Sequence, residues 1–180
     1  MPLLIDGYNL LYGAGIVGQG RGPGGLERSR HALIRFVAAG LNDADRATTT
    51  IVFDAAGAPP GLPSTIVSEG ITIRFARGYA DADELLEELV TADHAPRKLT
   101  VVSSDHRVQR AAKRRRAKAI DSDVWYEAML RRRADAGNQA RAAADAAKPQ
   151  ATGDVDEVQF WLDRIVEDKE TARELKRPKF

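Results

Sequence analysis

Residues 2–12 read PLLIDGYNLLY. Leu3, Leu4 and Ile5 form an apolar run that stops abruptly on Asp6. Two further stretches repeat the pattern. TTTIVFD ends on Asp54, and LTVVSSD ends on Asp105. Each is short, aliphatic or β-branched, and apolar on successive residues instead of alternating, as in a parallel strand covered on both faces. ITIRFA, residues 71–76, alternates more and is expected nearer an edge. KAIDS, residues 118–122, is a further short strand candidate.

Helical patterns lie between these strands. Leu33, Ile34, Val37 and Leu41 recur at helical spacing within residues 26–41, after a glycine-rich loop, GAGIVGQGRGPGG. Residues 83–91 carry Leu85, Leu86, Leu89 and Val90 with acids opposite, and residues 105–117 are helical and basic. Asp123 is the expected N-cap of a helix with Val124, Trp125, Met129 and Leu130 as its apolar side. Strand–helix alternation predicts an α/β domain with a mainly parallel central sheet over residues 1–135. Half of residues 134–151 are alanine, so residues 136–153 read as an alanine-rich linker or a loosely attached helix. Residues 154–180 hold an amphipathic helix with Val155, Val158, Trp161, Leu162 and Ile165 on one side, then a frayed tail. That helix covers the domain's own sheet edge or binds another protein.

With no cysteine in 180 residues, disulfides and thiolate–metal sites are excluded. No apolar run approaches the ~20 residues needed to cross a bilayer. The N-terminus lacks signal-peptide organisation, so a cytoplasmic protein is expected, with no membrane partner. The net charge of +1 hides a segregation. Residues 81–93 carry six acids and no base, whereas residues 94–133 carry twelve Lys or Arg against four acids. A basic block of that size points to a polyanionic partner.

In an open parallel sheet, ligands sit outside the carboxyl ends of the strands. Asp6, Asp54 and Asp105 each fall at such an end, and Asp83, with Asp81 just before it, starts a helix entering from the same edge. Any one of them could be a helix cap. Their coincidence argues for a site. Two unit charges ~4 Å apart repel by roughly 4 kcal/mol at an effective dielectric near 20. Either some of these carboxylates are protonated, or a divalent metal neutralises them. An all-oxygen set favours Mg²⁺ or Mn²⁺ over zinc. Acid-held metal beside a basic surface indicates phosphate chemistry: polarising a phosphoryl oxygen, activating a water, and steadying the leaving oxygen. Ser103 and Ser104 could bond backbone or support a phosphate or a water there. Arg107, Arg110, Lys113 and Arg114 lead away from the acids and would hold backbone phosphates of a polyanion without sequence choice. Tyr8, Tyr12 and Tyr79 are candidates to stack on bases.

LLIDGYNLLY, IVFDAAG, RGYADADELLEELV and LTVVSSDHRVQRAAKRRRAKAI together resemble the YacP-like branch of the NYN domains, within the PIN-like ribonucleases. The resemblance covers residues 2–135 in order. It implies a PIN-like three-layer sandwich, here with a C-terminal helical extension, and Mg²⁺- or Mn²⁺-dependent RNA cleavage. It also implies that Asp6, Asp54, Asp83 and Asp105 form the acidic, metal-holding site, with Asn9 supporting Asp6. Where the family pattern has Thr before Ala-Asp, this chain has Asp81, an added carboxylate; Asp83 is the preferred ligand.

The expected activity is therefore endonucleolytic cleavage of single-stranded RNA or of a ribosome-associated transcript. A different class, a non-catalytic RNA-binding adaptor with a vestigial acidic site, would bind RNA with steep salt dependence and no metal-dependent turnover. A small-molecule phosphatase fits less well. No phosphate-cradling glycine loop follows a strand directly.

Overall fold

The computed structural model describes residues 1–15, 24–55, 61 and 63–146. The chain divides into two compact units, Met1–Ala136 and Gly137–Phe180. In the first, six strands form one sheet: β1 (Leu3–Asp6), β2 (Thr49–Phe53), β3 (Thr65–Ser68), β4 (Ile71–Phe75), β5 (Thr100–Val102) and β6 (Lys118–Ile120), in the spatial order β3-β4-β2-β1-β5-β6. All pairings are parallel except β3 with β4. The helices are α1 (Gly7–Gly13), α2 (Gly25–Ala39), α3 (Asp43–Ala47), α4 (Ala82–Ala92), α5 (His106–Arg114) and α6 (Ser122–Ala146).

Successive strand residues point to opposite faces, and both faces are buried. Leu3, Ile5, Ile51, Phe53, Ile73, Phe75 and Val102 face one cluster, which takes in Leu10 and Leu11 of α1, Leu33 and Val37 of α2, and Trp125 and Met129 of α6. Leu4, Val52 and Val101 face a second, with Leu85, Leu86 and Val90 of α4 and Val108 and Ala112 of α5. This is the three-layer α/β sandwich that the continuous apolar strands predict.

Several details differ from the sequence reading. β3, an edge strand with exposed residues alternating along it, lies outside the strands that the sequence pattern predicts. It pairs with β4 through a two-residue turn in which Glu69 (φ 53°) and Gly70 (φ 77°) both take left-handed backbone, the geometry that matches strand twist in a tight hairpin. α1 starts directly at the end of β1, although its first residue is glycine. α6 begins at Ser122, so Asp123 sits in its first turn and does not cap it. Of the four residues assigned to its apolar side, Trp125 and Met129 are buried, while Val124 and Leu130 are exposed. α6 continues as helix into the alanine-rich segment as far as Ala146, in keeping with alanine's helix propensity. The rest of that segment, the amphipathic tail over residues 154–170 and most of the glycine-rich loop lie outside the described residues. No helix among the described residues is long and apolar enough to cross a membrane.

Candidate active site at the carboxyl edge of the sheet

β1 lies at the centre of the sheet; the chain runs from it to β2, β4 and β3 on one side and then crosses back to place β5 and β6 on the other. The crevice outside the carboxyl ends of β1 and β5 is therefore the topological switch point, where open α/β sheets bind ligands. Register decides which residues meet there. Ile5 pairs with Val102, so the next residues, Asp6 and Ser103, stand level with one another. Asp6 is level with Val52, so Asp54 lies two residues farther along its strand direction.

Asp6 is buried, with both carboxylate oxygens engaged. Its Oδ1 accepts from the backbone N–H of Asn9 at 3.0 Å, capping α1. Its Oδ2 accepts from the Ser103 hydroxyl at 3.0 Å. The Ser103 oxygen in turn accepts from the N–H of Asp105 at 3.1 Å. Burial is the largest influence on Asp6 and pushes its pKa up. The Asn9 and Ser103 hydrogen bonds oppose this, the Asp105 charge adds to it, and the net shift is upward.

Asn9 works through its side chain as well. Its Oδ1 accepts from the N–H of Ser104 at 2.9 Å and from the hydroxyl of Ser122 at 2.8 Å. The N–H of Ser122 donates to Ser104 Oγ at 3.0 Å. Gln109 of α5 donates to the Ser103 carbonyl at 2.9 Å and to Asp121 at 2.6 Å. The ends of β1 and β5 and the start of α6 are thus tied together around Asp6. Ser122 and Gln109 had no motif to mark them in the sequence. Their roles depend on where α6 begins and which way α5 faces.

Asp105 caps α5 through the N–H of Arg107 at 2.6 Å. Asp81 caps α4, accepting from the N–H of Glu84 at 2.8 Å, while the Glu84 carboxylate accepts from the N–H of Ala80 at 2.7 Å. Asp81 therefore has a structural task that Asp83 lacks. Asp83, half-buried in the first turn of α4, has its pKa pushed up to about 6. Burial contributes most; the charges of Asp105, Asp6 and Asp81 follow, and Arg107 opposes them. Asp6, Asp83 and Asp105 thus act on one another electrostatically although they come from three separate strand–helix junctions. Asp54, half-buried beyond β2, is not among the leading charges acting on Asp6 or Asp83. Among the described residues, no three carboxylates or imidazoles form a ready-made ligand set.

Gly7 is fixed by close approach: a Cβ there would lie 2.3 Å from the Phe53 ring. Tyr8 packs edge-on against the same ring and accepts from buried Arg30 at 3.0 Å. The Tyr79 hydroxyl donates to Glu88. Of the three tyrosines considered for stacking, Tyr12 is the exposed one.

The basic residues divide in two. Arg107 lies against Glu87 at 2.5 Å and Asp81 at 3.1 Å, so its charge is shared with acids of α4 and its cap. Arg114 is 4.0 Å from Glu87. Arg110 and Lys113 are exposed, and among the described residues neither has a carboxylate at salt-bridge distance.

A family model, the YacP-like NYN domain, matches residues 3–164. Among solved structures, the crystal structure of a Trp-to-Leu variant of Rae1 (YacP) from Bacillus subtilis matches with a TM-score of 0.60 at 20% identity, covering 82% of this chain and 87% of that one. A second Rae1 (YacP) crystal structure from Bacillus subtilis matches with a TM-score of 0.54 at 21% identity, covering 97% of this chain and 95% of that one. At these identities the likeness is one of fold. A comparison with curated proteins finds no match. The family match extends over nine-tenths of the sequence and takes in every strand and every acidic residue of the crevice: the chain belongs to the YacP-like NYN domain family.

Proposed function

We propose that this chain is a metal-dependent ribonuclease that cuts single-stranded RNA internally, in the cytoplasm, at the crevice holding Asp6, Asp83 and Asp105. One observation carries the reading. Carboxylates from three separate junctions converge at the switch point, directly before the basic helix α5: Asp6 and Asp83 are both pushed up, by burial first and then in part by the charge of Asp105. Family membership supports it, since NYN domains are nuclease-like.

The donor chemistry fits Mg²⁺ or Mn²⁺. Asp6, Asp83, Asp105 and Ser103 all offer oxygen, and Asp83 is pushed up to about 6 in part by negative neighbours that a cation would relieve. Mg²⁺ is commonly held by one or two carboxylates and several waters, so a ready-made trio is not required. Asp6, Asp83 and Asp105 would hold the ion, with Asp54 farther along the same edge. When bound, such an ion supplies Lewis-acid polarisation of the phosphoryl group and a more acidic water.

The chain's own residues do the rest. Ser103 and the Asn9 N–H hold Asp6 in one orientation. The side chain of Asn9 fixes β1 against β5 and α6. A cation held there would favour the charged form of Asp83, whose proton affinity burial and the neighbouring carboxylates raise. Arg110 and Lys113 bind backbone phosphates beside the acids, without sequence choice. The test is incubation of end-labelled RNA with Mn²⁺, with chelator, and with Asp6→Asn. The reading expects internal cuts that chelator stops and that Asp6→Asn reduces by at least about a hundredfold.

A second reading, an RNA-binding adaptor, is favoured by one feature: Arg107, at the mouth of the crevice, is engaged by Asp81 and Glu87. It predicts salt-sensitive RNA binding with no metal-dependent turnover in the same assay.

A further inference from the structure

The far end of α5 carries a second feature that the acidic crevice does not use. A cavity of about 470 Å³ opens between the C-terminus of α5 and the segment leading into β5. Its charged lining is Arg97, Lys98, Arg114, Arg115 and Arg116, with His94 at its side and no carboxylate among the lining residues. It lies at the opposite edge of the sheet from Asp6. Lys98 precedes the start of β5, whereas Asp105 follows its end.

Little of this positive charge is neutralised. Arg114 is 4.0 Å from Glu87, and Arg115 donates to the backbone carbonyl of Asp93 at 3.1 Å, which orients its guanidinium without cancelling its charge. Among the described residues, Arg97, Lys98 and Arg116 have no salt bridge. Arg116 also stands just past the helix with φ 62°, where the left-handed backbone favours glycine. Its N–H donates to the Lys113 carbonyl at 3.0 Å and the Ala117 N–H to the Ala112 carbonyl at 2.9 Å, so Arg116 is the left-handed residue of an ordinary helix-ending turn, with its charged side chain at the cavity. Arg107, Arg110 and Arg114 recur at three- and four-residue spacing, so one basic stripe joins the crevice to the cavity over the nine residues of α5, roughly 13 Å.

We propose that this cavity is a second phosphate-binding site, which takes backbone phosphates of the RNA at a distance from the scissile bond. The site rests on the reading of the crevice as acting on RNA. Its ligand is a run of phosphodiesters, and the strand reaches it along α5. RNA too short to span the stripe engages the crevice without it.

The experiment uses the full chain and the triple variant Arg97→Gln/Lys98→Gln/Arg116→Gly. The glycine suits the backbone at position 116, and thermal melting checks the fold. Fluorescence anisotropy measures affinity for labelled single-stranded RNA of about 20 and about 4 nucleotides over a salt series. The expected result is at least about a tenfold loss of affinity for the long RNA, a salt slope shallower by about 2, and a ratio of long- to short-RNA affinity that collapses toward one. Equal long-RNA affinity and slope in a folded variant would overturn the site. So would a melting shift with inorganic phosphate, seen in the parent and lost in the variant, without any change in RNA affinity; that outcome marks a site for a free anion. The cleavage reading fails separately. If the parent binds long RNA through the cavity but never cuts it with Mn²⁺, the cavity stands and the nuclease assignment falls.

Discussion

The hydroxyl of Ser103 donates to Oδ2 of Asp6 at 3.0 Å, joining residues 97 positions apart in the chain. Strand register creates this bond, because β1 and β5 run parallel with Ile5 beside Val102. Both residues are buried, so the carboxylate has few other donors. Replacing Ser103 by alanine leaves Asp6 short of a partner. The expected cost is about 1–3 kcal/mol of unfolding free energy in a urea titration. Cleavage is expected to slow by about tenfold as Asp6 loses its fixed orientation.

Gly7 and Phe53 make a second prediction. A methyl at position 7 would collide with the Phe53 ring, which is fully buried and also packs against Tyr8 and Phe75. Gly7→Ala should lower the unfolding free energy by about 1–3 kcal/mol, the usual scale for overpacking. Gly15→Ala is unsuitable as a control, since its φ is 64°. The control is Gly137→Ala in α6, where a Cβ meets nothing within 4 Å.

Asp83 gives a pH prediction. Its folded pKa is raised from 3.8 to about 6. Between those values the folded chain binds more protons than the unfolded chain, so this group's contribution to stability declines as pH rises from about 4 to about 6. Asp83→Asn removes that decline. Discounted for solvent screening of a half-buried group, the parent-minus-variant difference in unfolding free energy should change by on the order of 1 kcal/mol over that window. Saturating Mg²⁺ should flatten the parent's curve toward the variant's by favouring the charged form of Asp83.

The two groups of cations on α5 should separate in a salt series. Arg110→Ala/Lys113→Ala removes two charges that are not engaged by acids, so the slope of log affinity against log salt should fall by about 1.4. Arg107→Ala removes a charge already shared with Asp81 and Glu87 and should change that slope by less than half as much. Equal effects would show that RNA displaces the acids from Arg107.

Much of the fold is legible in the sequence, for a simple reason. Strands buried on both faces must be apolar throughout, and LLI, TIVF and TVV are apolar or β-branched at every position. β3 escapes this logic because it lies at the edge with exposed residues alternating along it, and its hairpin needs left-handed backbone at a glutamate. α1 is hidden for a related reason, since Gly7 reads as a breaker until the Phe53 ring is seen beside it. At the site, Asp6, Asp83 and Asp105 are visible as carboxylates at strand–helix junctions, but register is not. The position of Asp54 two residues beyond Asp6's level, and the bridging of Asn9, Ser104 and Ser122, follow from alignments that strand ends alone do not specify. Arg107 is visible as a cation, but its acidic neighbours come from α4 and its cap, twenty and more residues earlier.

The central claim is that Asp6, Asp83 and Asp105 share a divalent cation. Crystals soaked in Mn²⁺, with diffraction recorded at the manganese absorption edge, test it without relying on turnover. The account predicts an anomalous peak in the crevice bounded by carboxylate oxygens of those three residues, absent in Asp83→Asn crystals. A fully soaked crystal with no peak there, or with manganese bound only elsewhere on the surface, would contradict it.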